Sequence, residues 1–222
     1  MKKAALFFDI DGTLLDSMPV WENAGARYLA TLGIKARSDL KERLDALSLP
    51  EGALYMQTEY KLSVTIEEIL EGVNQVVKDF YFKEAVLKPG VCDLIQKLKK
   101  NQVRLMIATA TDAEMAKSAL IRNGIWKDFD GMITCEEAGA GKTSPKVFEL
   151  AREHLQTKKE ETWVFEDSLY AVKTASKAGF PVCSIYDAYS RDNTEEIRTF
   201  SDIYVKDFYE IKNCQVFQRK KQ

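Results

Sequence analysis

Histidine is nearly missing from these 222 residues: His154 stands alone, on a predicted peripheral helix, and receives no role. Cysteine is scarce and scattered. Cys92, Cys135, Cys183 and Cys214 show no CxxC spacing and no neighbouring histidine cluster, which excludes a structural zinc site or a disulfide framework and favours reduced thiols. A large charge imbalance is also lacking. Thirty-two basic residues meet 34 acidic ones, and a net charge of -2 gives no long-range pull toward nucleic acid or an anionic membrane. No apolar run reaches the roughly 18 residues that a membrane-spanning helix needs. The start, MKKAALFFDIDG, opens like a signal peptide but turns acidic too early for an h-region. A soluble, cytoplasmic, monomeric protein is expected, with neither nucleic acid nor membrane as a partner. Neither internal repeats nor low-complexity segments occur.

What the chain does contain is a rhythm of short apolar runs. Residues 4–8 (AALFF) are continuously apolar between charged neighbours, the pattern of a strand buried on both faces of a parallel sheet. It returns at 103–108, 162–165 and 181–185, with weaker versions at 131–134 and 203–205. Helical stretches separate these runs. Residues 91–100 are amphipathic; Thr111-x-x-Glu114 reads as a capping box for a helix ending at Asn123-Gly124; Ser144-Pro145 opens another with proline at its first position; residues 168–178 end at Gly179. Strands alternating with helices predict an α/β protein with a parallel sheet and right-handed crossovers.

From Ser17 to about Ala85 the rhythm breaks. This stretch reads as helices only: 19–32 stopped by Gly33, then 39–47, then helices opened by capping boxes at Ser48-x-x-Glu51 and Thr65-x-x-Glu68, with Lys88-Pro89-Gly90 closing it. Expected boundaries are a core of residues 1–16 and 87–213, a helical insert of 17–86, and a frayed tail of 214–222. An insert at this point lies over the carboxyl ends of the strands, where open α/β sheets bind ligands. Asp16-Ser17 and Ala85–Lys88 are its expected hinges.

Asp9-Ile10-Asp11-Gly12-Thr13-Leu14 ends the first buried run. Two carboxylates this close repel each other unless a cation or a shared proton intervenes, and oxygen-only ligands beside a flexible glycine favour Mg2+. A plain turn is the alternative for Asp and Gly, but matching groups recur downstream. The run 103–108 is followed by Thr109-Ala110-Thr111, Gly141-Lys142-Thr143-Ser144-Pro145 precedes a helix, and Glu166-Asp167-Ser168 ends the run TWVF. GAGKT is not a Walker A loop, because Glu136 stands where that loop needs its first glycine.

The DxDGT(L) string with its three partners resembles the haloacid dehalogenase superfamily, in particular its phosphatases with a helical cap after the first motif and the β-phosphoglucomutase-like group. The likeness spans essentially the whole chain. It implies a Rossmann-like core with an inserted helical cap, a Mg2+ cofactor and a small phosphorylated metabolite as partner. It also implies roles. Asp9 attacks phosphorus, Asp11 is the general acid and base with its backbone carbonyl on the metal, and Thr109 holds phosphoryl oxygens. Lys142 offsets the carboxylate and phosphate charge and orients Asp9. Asp167 binds the metal directly, Glu166 through water. Thr111 is left as a helix cap.

Substrate selection is expected from the insert, with Met18, Trp21, Arg27 and Tyr28 as candidates and Trp21 foremost; their helical spacing equally suits a core role. A mutase of this superfamily carries a histidine twelve residues after the nucleophile, where Trp21 stands here, and a Ser-Arg loop that Leu47-Ser48-Leu49-Pro50-Glu51 does not match. Asp11 argues against dehalogenase and phosphonatase chemistry. A phosphate-ester-binding protein without turnover is set apart by one test, since Asp9→Asn would leave its function intact. The reading is a phosphatase acting on a small phosphomonoester such as a sugar phosphate or nucleotide-like monophosphate.

Overall fold

The computed structural model describes residues 4–211 and Phe217. Cys214 lies outside the described residues, as does the expected tail 214–222 apart from Phe217. That residue is buried, its ring edge-on to Trp163 with centroids 5.2 Å apart.

In chain order the elements are β1 (Ala5–Phe8), then α1 (Met18–Thr31), α2 (Leu40–Asp45), α3 (Leu49–Glu59) and α4 (Ile66–Lys83). There follow α5 (Val91–Lys100), β2 (Arg104–Thr109), α6 (Ala113–Arg122), β3 (Gly131–Thr134), α7 (Cys135–Ala138) and α8 (Lys146–Leu155). The last are β4 (Thr162–Glu166), α9 (Leu169–Lys177), β5 (Val182–Ile185), α10 (Thr194–Phe200) and β6 (Ile203–Val205). Two compact units result: residues 1–16 with 85–222, and residues 17–84.

The first unit is an α/β Rossmann-like fold. Its six strands pair in the order β3-β2-β1-β4-β5-β6, parallel throughout. Side chains of β1, β4 and β5 are buried along their whole length, which explains why these strands are continuously apolar rather than alternating. On one face Phe7, Met106, Val164 and Val182 pack with Val147, Phe148 and Ala151 of α8 and Ala171, Val172 and Ala175 of α9. On the other, Phe8 stacks on Phe165 at 4.4 Å, and Phe165 in turn stacks on Phe208 at 6.2 Å.

The chain leaves β1 toward β2 on one side and β4 on the other, so strand order reverses between β1 and β4. Ligands of open α/β sheets bind beyond the carboxyl ends of the strands at such a reversal. Register brings the two ends level: Phe8 pairs with Phe165, and the Asp9 N–H continues the ladder onto the Phe165 carbonyl at 3.1 Å.

The second unit is four helices with its own core of Tyr28, Leu29, Leu40, Ala53, Met56 and Ile69. Both expected capping boxes form. Glu51 accepts from the Ser48 N–H at 2.9 Å, and Glu68 from the Thr65 N–H at 2.7 Å.

Two expected helix starts are corrected. Asp112, not Thr111, caps α6 by accepting from the Met115 N–H at 3.0 Å, because a carboxylate one residue nearer the helix competes for the same donors. Pro145 sits just before the first residue of α8 rather than as that residue. The short α7 and α10 are not foreseen, each being only one or two turns long.

Candidate active site

Asp9 follows β1 and Glu166 ends β4, so paired neighbouring strands deliver the two carboxylates side by side. Lys142 reaches them from the loop between α7 and α8. Lys142 is 3% exposed, and its ammonium donates to Asp9 Oδ1 and, at 2.5 Å, to Glu166 Oε1. The second Glu166 oxygen accepts from Ser168 Oγ at 3.1 Å, which fixes the carboxylate at both ends.

Beyond Asp9 the chain reverses sharply. The Leu15 N–H donates to the Ile10 carbonyl at 2.8 Å and the Gly12 N–H to the Leu15 carbonyl at 3.1 Å, with Gly12 at φ +73°. This turn delivers Thr13, whose hydroxyl donates to Asp167 Oδ1 at 2.9 Å. It also lets the backbone approach Asp167 closely, since a Cβ on Gly12 would lie 2.5 Å from Asp167 Oδ2.

Asp11 is held separately. The Thr111 hydroxyl donates to Asp11 Oδ2 at 2.5 Å, and Thr109 Oγ donates to Thr111 Oγ at 2.9 Å while accepting from the Thr111 N–H at 3.0 Å. Thr109 ends β2, fully buried, with its hydroxyl engaged by Thr111. Thr111 thus belongs to this cluster and not to the helix cap. The available signal was a second hydroxyl two residues past the strand, which a capping box mimics.

Charge is unbalanced. Oxygens of Asp9, Glu166 and Asp167 lie within 4.8 Å of one another, while the Asp11 carboxylate is occupied by Thr111. Burial raises the Asp9 carboxyl to about 6, with Lys142 pulling it down and Glu166 pushing it up. Burial likewise lifts Asp167 well above the carboxylate range, with help from Glu166 and Asp9. Burial alone would lower the Lys142 ammonium, but Asp9 and Glu166 outweigh it and hold the proton more tightly than on a free lysine. One ammonium among these acids leaves room for more positive charge, and the all-oxygen donor set suits a hard divalent cation.

Sequence reasoning also missed Lys88 and Asp187, which pair at 2.8 Å with side chains 11% and 7% exposed. Trp21 belongs to the other unit. It lies on α1 in the second unit, 45% exposed, its Nε1 donating to the Tyr81 hydroxyl at 3.1 Å. Among the other candidates there, Tyr28 is in that unit's core and Arg27 pairs with Glu84 at 2.9 Å.

The model of haloacid dehalogenase-like hydrolases matches residues 6–185, a stretch that contains Asp9, Asp11, Lys88, Lys142, Glu166 and Asp167. The chain belongs to this family. Among its relatives is a phosphorylated carbohydrates phosphatase of Thermotoga maritima, 29% identical over 175 residues that cover 79% of this chain and 81% of that one. Another is the validoxylamine A 7'-phosphate phosphatase of Streptomyces hygroscopicus subsp. limoneus, 24% identical over 212 residues, 96% of this chain and 97% of the relative. Among solved structures, a Thermotoga maritima protein provisionally assigned as a β-phosphoglucomutase superposes with a TM-score of 0.80 at 26% identity, covering 91% of this chain and 94% of that one.

Proposed function

We propose that this haloacid dehalogenase-like hydrolase is a Mg2+-dependent phosphatase that removes phosphate from a small phosphorylated carbohydrate through an aspartyl-phosphate at Asp9. The observation that carries the reading is the contrast between the two aspartates of one turn. Asp9 is gripped by the Lys142 ammonium, which favours its ionised form, whereas Asp11 accepts a hydrogen bond from the Thr111 hydroxyl. A carboxylate nucleophile and a separate proton carrier are what double displacement at phosphorus needs.

In the first half an Asp9 oxygen forms a bond to phosphorus while the ester P–O bond breaks, and the Asp11 carboxyl gives its proton to the leaving alkoxide. In the second, water attacks the acyl phosphate, Asp11 takes up its proton, and the P–O bond to Asp9 breaks to release inorganic phosphate. Lys142 holds the Asp9 carboxylate on line and offsets phosphoryl charge. Thr109, whose hydroxyl donates to the Thr111 hydroxyl and accepts from the Thr111 N–H, is assigned to a phosphoryl oxygen. Asp9 and Asp167 would hold Mg2+ together with the Asp11 carbonyl, with Glu166 beside them. When bound, the ion supplies Lewis-acid neutralisation of the phosphoryl oxygens.

A carbohydrate ester is favoured by the names of the relatives, two of which act on phosphorylated carbohydrates or a 7'-phosphate. Selection is assigned to the insert. Trp21 offers its indole face rather than its N–H, which Tyr81 already takes. No observation favours a mutase.

Phosphate release across a panel of sugar phosphates and nucleoside monophosphates, with and without Mg2+, tests the proposal. Release is expected to need both the ion and Asp9, so that Asp9→Asn is inactive on every ester. Turnover that survives Asp9→Asn would rule out the aspartyl-phosphate route.

A further inference from the structure

Lys88 uses its charge entirely inside the first unit. An ammonium has three N–H donors. Those of Lys88 go to the Gly12 carbonyl at 2.6 Å, the Tyr186 carbonyl at 2.8 Å and Asp187 Oδ2 at 2.8 Å. Asp187 is fixed in its turn, because its Oδ1 accepts from the Tyr189 N–H at 2.9 Å. Removing such a pair from water is unfavourable until mutual attraction and hydrogen bonds offset it. A lysine that merely closed a loop could leave its ammonium in solvent.

The burial makes sense through Gly12. The carbonyl held by Lys88 belongs to the Gly12–Thr13 peptide, the middle of the turn that follows Asp9 and Asp11. The flanks of that peptide are the two features that locate Asp167. On one side the bare Cα of Gly12 abuts the Asp167 carboxylate, where a Cβ would stand 2.5 Å from Oδ2. On the other the Thr13 hydroxyl donates to Asp167 Oδ1 at 2.9 Å. The main chain of Lys88 joins in, its N–H donating to the Leu14 carbonyl at 2.9 Å. Lys88 thus anchors the Gly12–Thr13 peptide from a distant segment, 76 residues along the chain.

We propose that Lys88, braced by Asp187, is a positioning residue: it sets the Gly12–Thr13 peptide and thereby the Asp167 carboxylate that faces Asp9 and Glu166. It contacts no reacting atom, since its three donors are spent. The kinetic consequence rests on the phosphatase reading above; the geometric one does not.

The test is calorimetric titration of Mg2+ into the metal-free full-length protein, for wild type, Lys88→Met, Lys88→Arg and Asp187→Asn, beside melting curves and steady-state phosphate release. Lys88→Met keeps the stem and removes the donors. It is expected to weaken Mg2+ binding about 10- to 100-fold, the usual effect of losing a group that orients a metal-binding carboxylate. Its kcat should fall by a similar factor, while KM for the ester moves by less than about threefold. Lys88→Arg restores charge and donors and is expected to fall between the two. A folded Lys88→Met with wild-type Mg2+ affinity and kcat overturns the proposal, whatever its melting temperature. If Lys88→Met does not fold, Asp187→Asn decides: weakened Mg2+ binding supports the proposal, and wild-type binding overturns it. A wild type that binds Mg2+ but hydrolyses no ester sinks the phosphatase reading alone, leaving calorimetry to judge Lys88. A wild type that binds no Mg2+ overturns both.

Discussion

Thr111, two residues past the end of β2, donates to Asp11 at 2.5 Å, and Thr109 donates to Thr111 in turn. The pair orients the carboxyl proposed to carry the proton, while Lys142 pairs with Asp9 two residues earlier. Valine at 111 would keep the shape and remove the donor. A hydrogen bond to a charged group contributes about 1.5–3 kcal/mol, so Thr111→Val is expected to lower kcat about 10- to 100-fold. KM should hold nearly constant, because the lost contact serves the transition state. Steady-state kinetics on the best ester of the panel checks this, and an unchanged kcat would mean that other contacts suffice to orient Asp11. At this scale legibility was uneven. Asp9, Asp11, Glu166 and Asp167 stand in short motifs at the ends of apolar runs and Lys142 in a Gly-Lys motif before a helix, so all five could be singled out from the sequence. Thr111 is visible but disguised, because a threonine three residues before Glu114 imitates a capping box, while the cap itself is Asp112. Lys88 could not be read as part of the site at all. Its partners Gly12, Tyr186 and Asp187 are 76 to 99 residues away, and local pattern carries no trace of a contact at that range.

Among the elements, the turn after β1 has the most to lose from a single methyl group. Gly12 is at φ +73°, where a side chain costs about 1–2 kcal/mol for any residue with a Cβ. Gly124, at φ +76°, pays the same backbone cost but has open space where its Cβ would go. The two positions make a matched pair. Gly124→Ala is expected to lose about 1–2 kcal/mol of stability by denaturant titration and keep its phosphate release. Gly12→Ala is expected to lose at least as much and also fall more than about tenfold in turnover, because its methyl group would displace the Asp167 carboxylate. Equal activities in the two variants would refute the role of that close approach. β1, β4 and β5 were readable from their continuous apolar runs, because a parallel strand covered on both faces has no polar side to interrupt it, whereas the half-buried β3 and β6 left weaker runs. α7 and α10 were not. Helices this short present too few turns for a 3.6-residue period to emerge.

For the molecule as a whole, one chain builds two hydrophobic interiors, and the break in sequence rhythm after residue 16 is the outward sign of it. Phe148 lies in the interior beneath the sheet, and Leu29 in that of the four-helix unit. Both are at most 1% exposed. Neither cluster contains a residue of the other unit, so damage to one interior should open the backbone around it first. Truncating a buried leucine or phenylalanine typically costs about 2–5 kcal/mol. Amide exchange reports where that cost is felt, because each amide exchanges through the cheapest opening available to it. Leu29→Ala is expected to speed exchange in α1, α3 and α4 while β1, β2 and β4 keep their protection. Phe148→Ala should do the reverse. The catalytic consequences would differ too, since every acid of the cluster stands on the sheet unit: at saturating ester, Phe148→Ala should lower kcat through the site itself, whereas Leu29→Ala should act mainly through KM and substrate preference. Acceleration of exchange throughout the chain by either substitution would mean that the two interiors unfold as one, and would remove the basis for assigning chemistry to one unit and selection to the other.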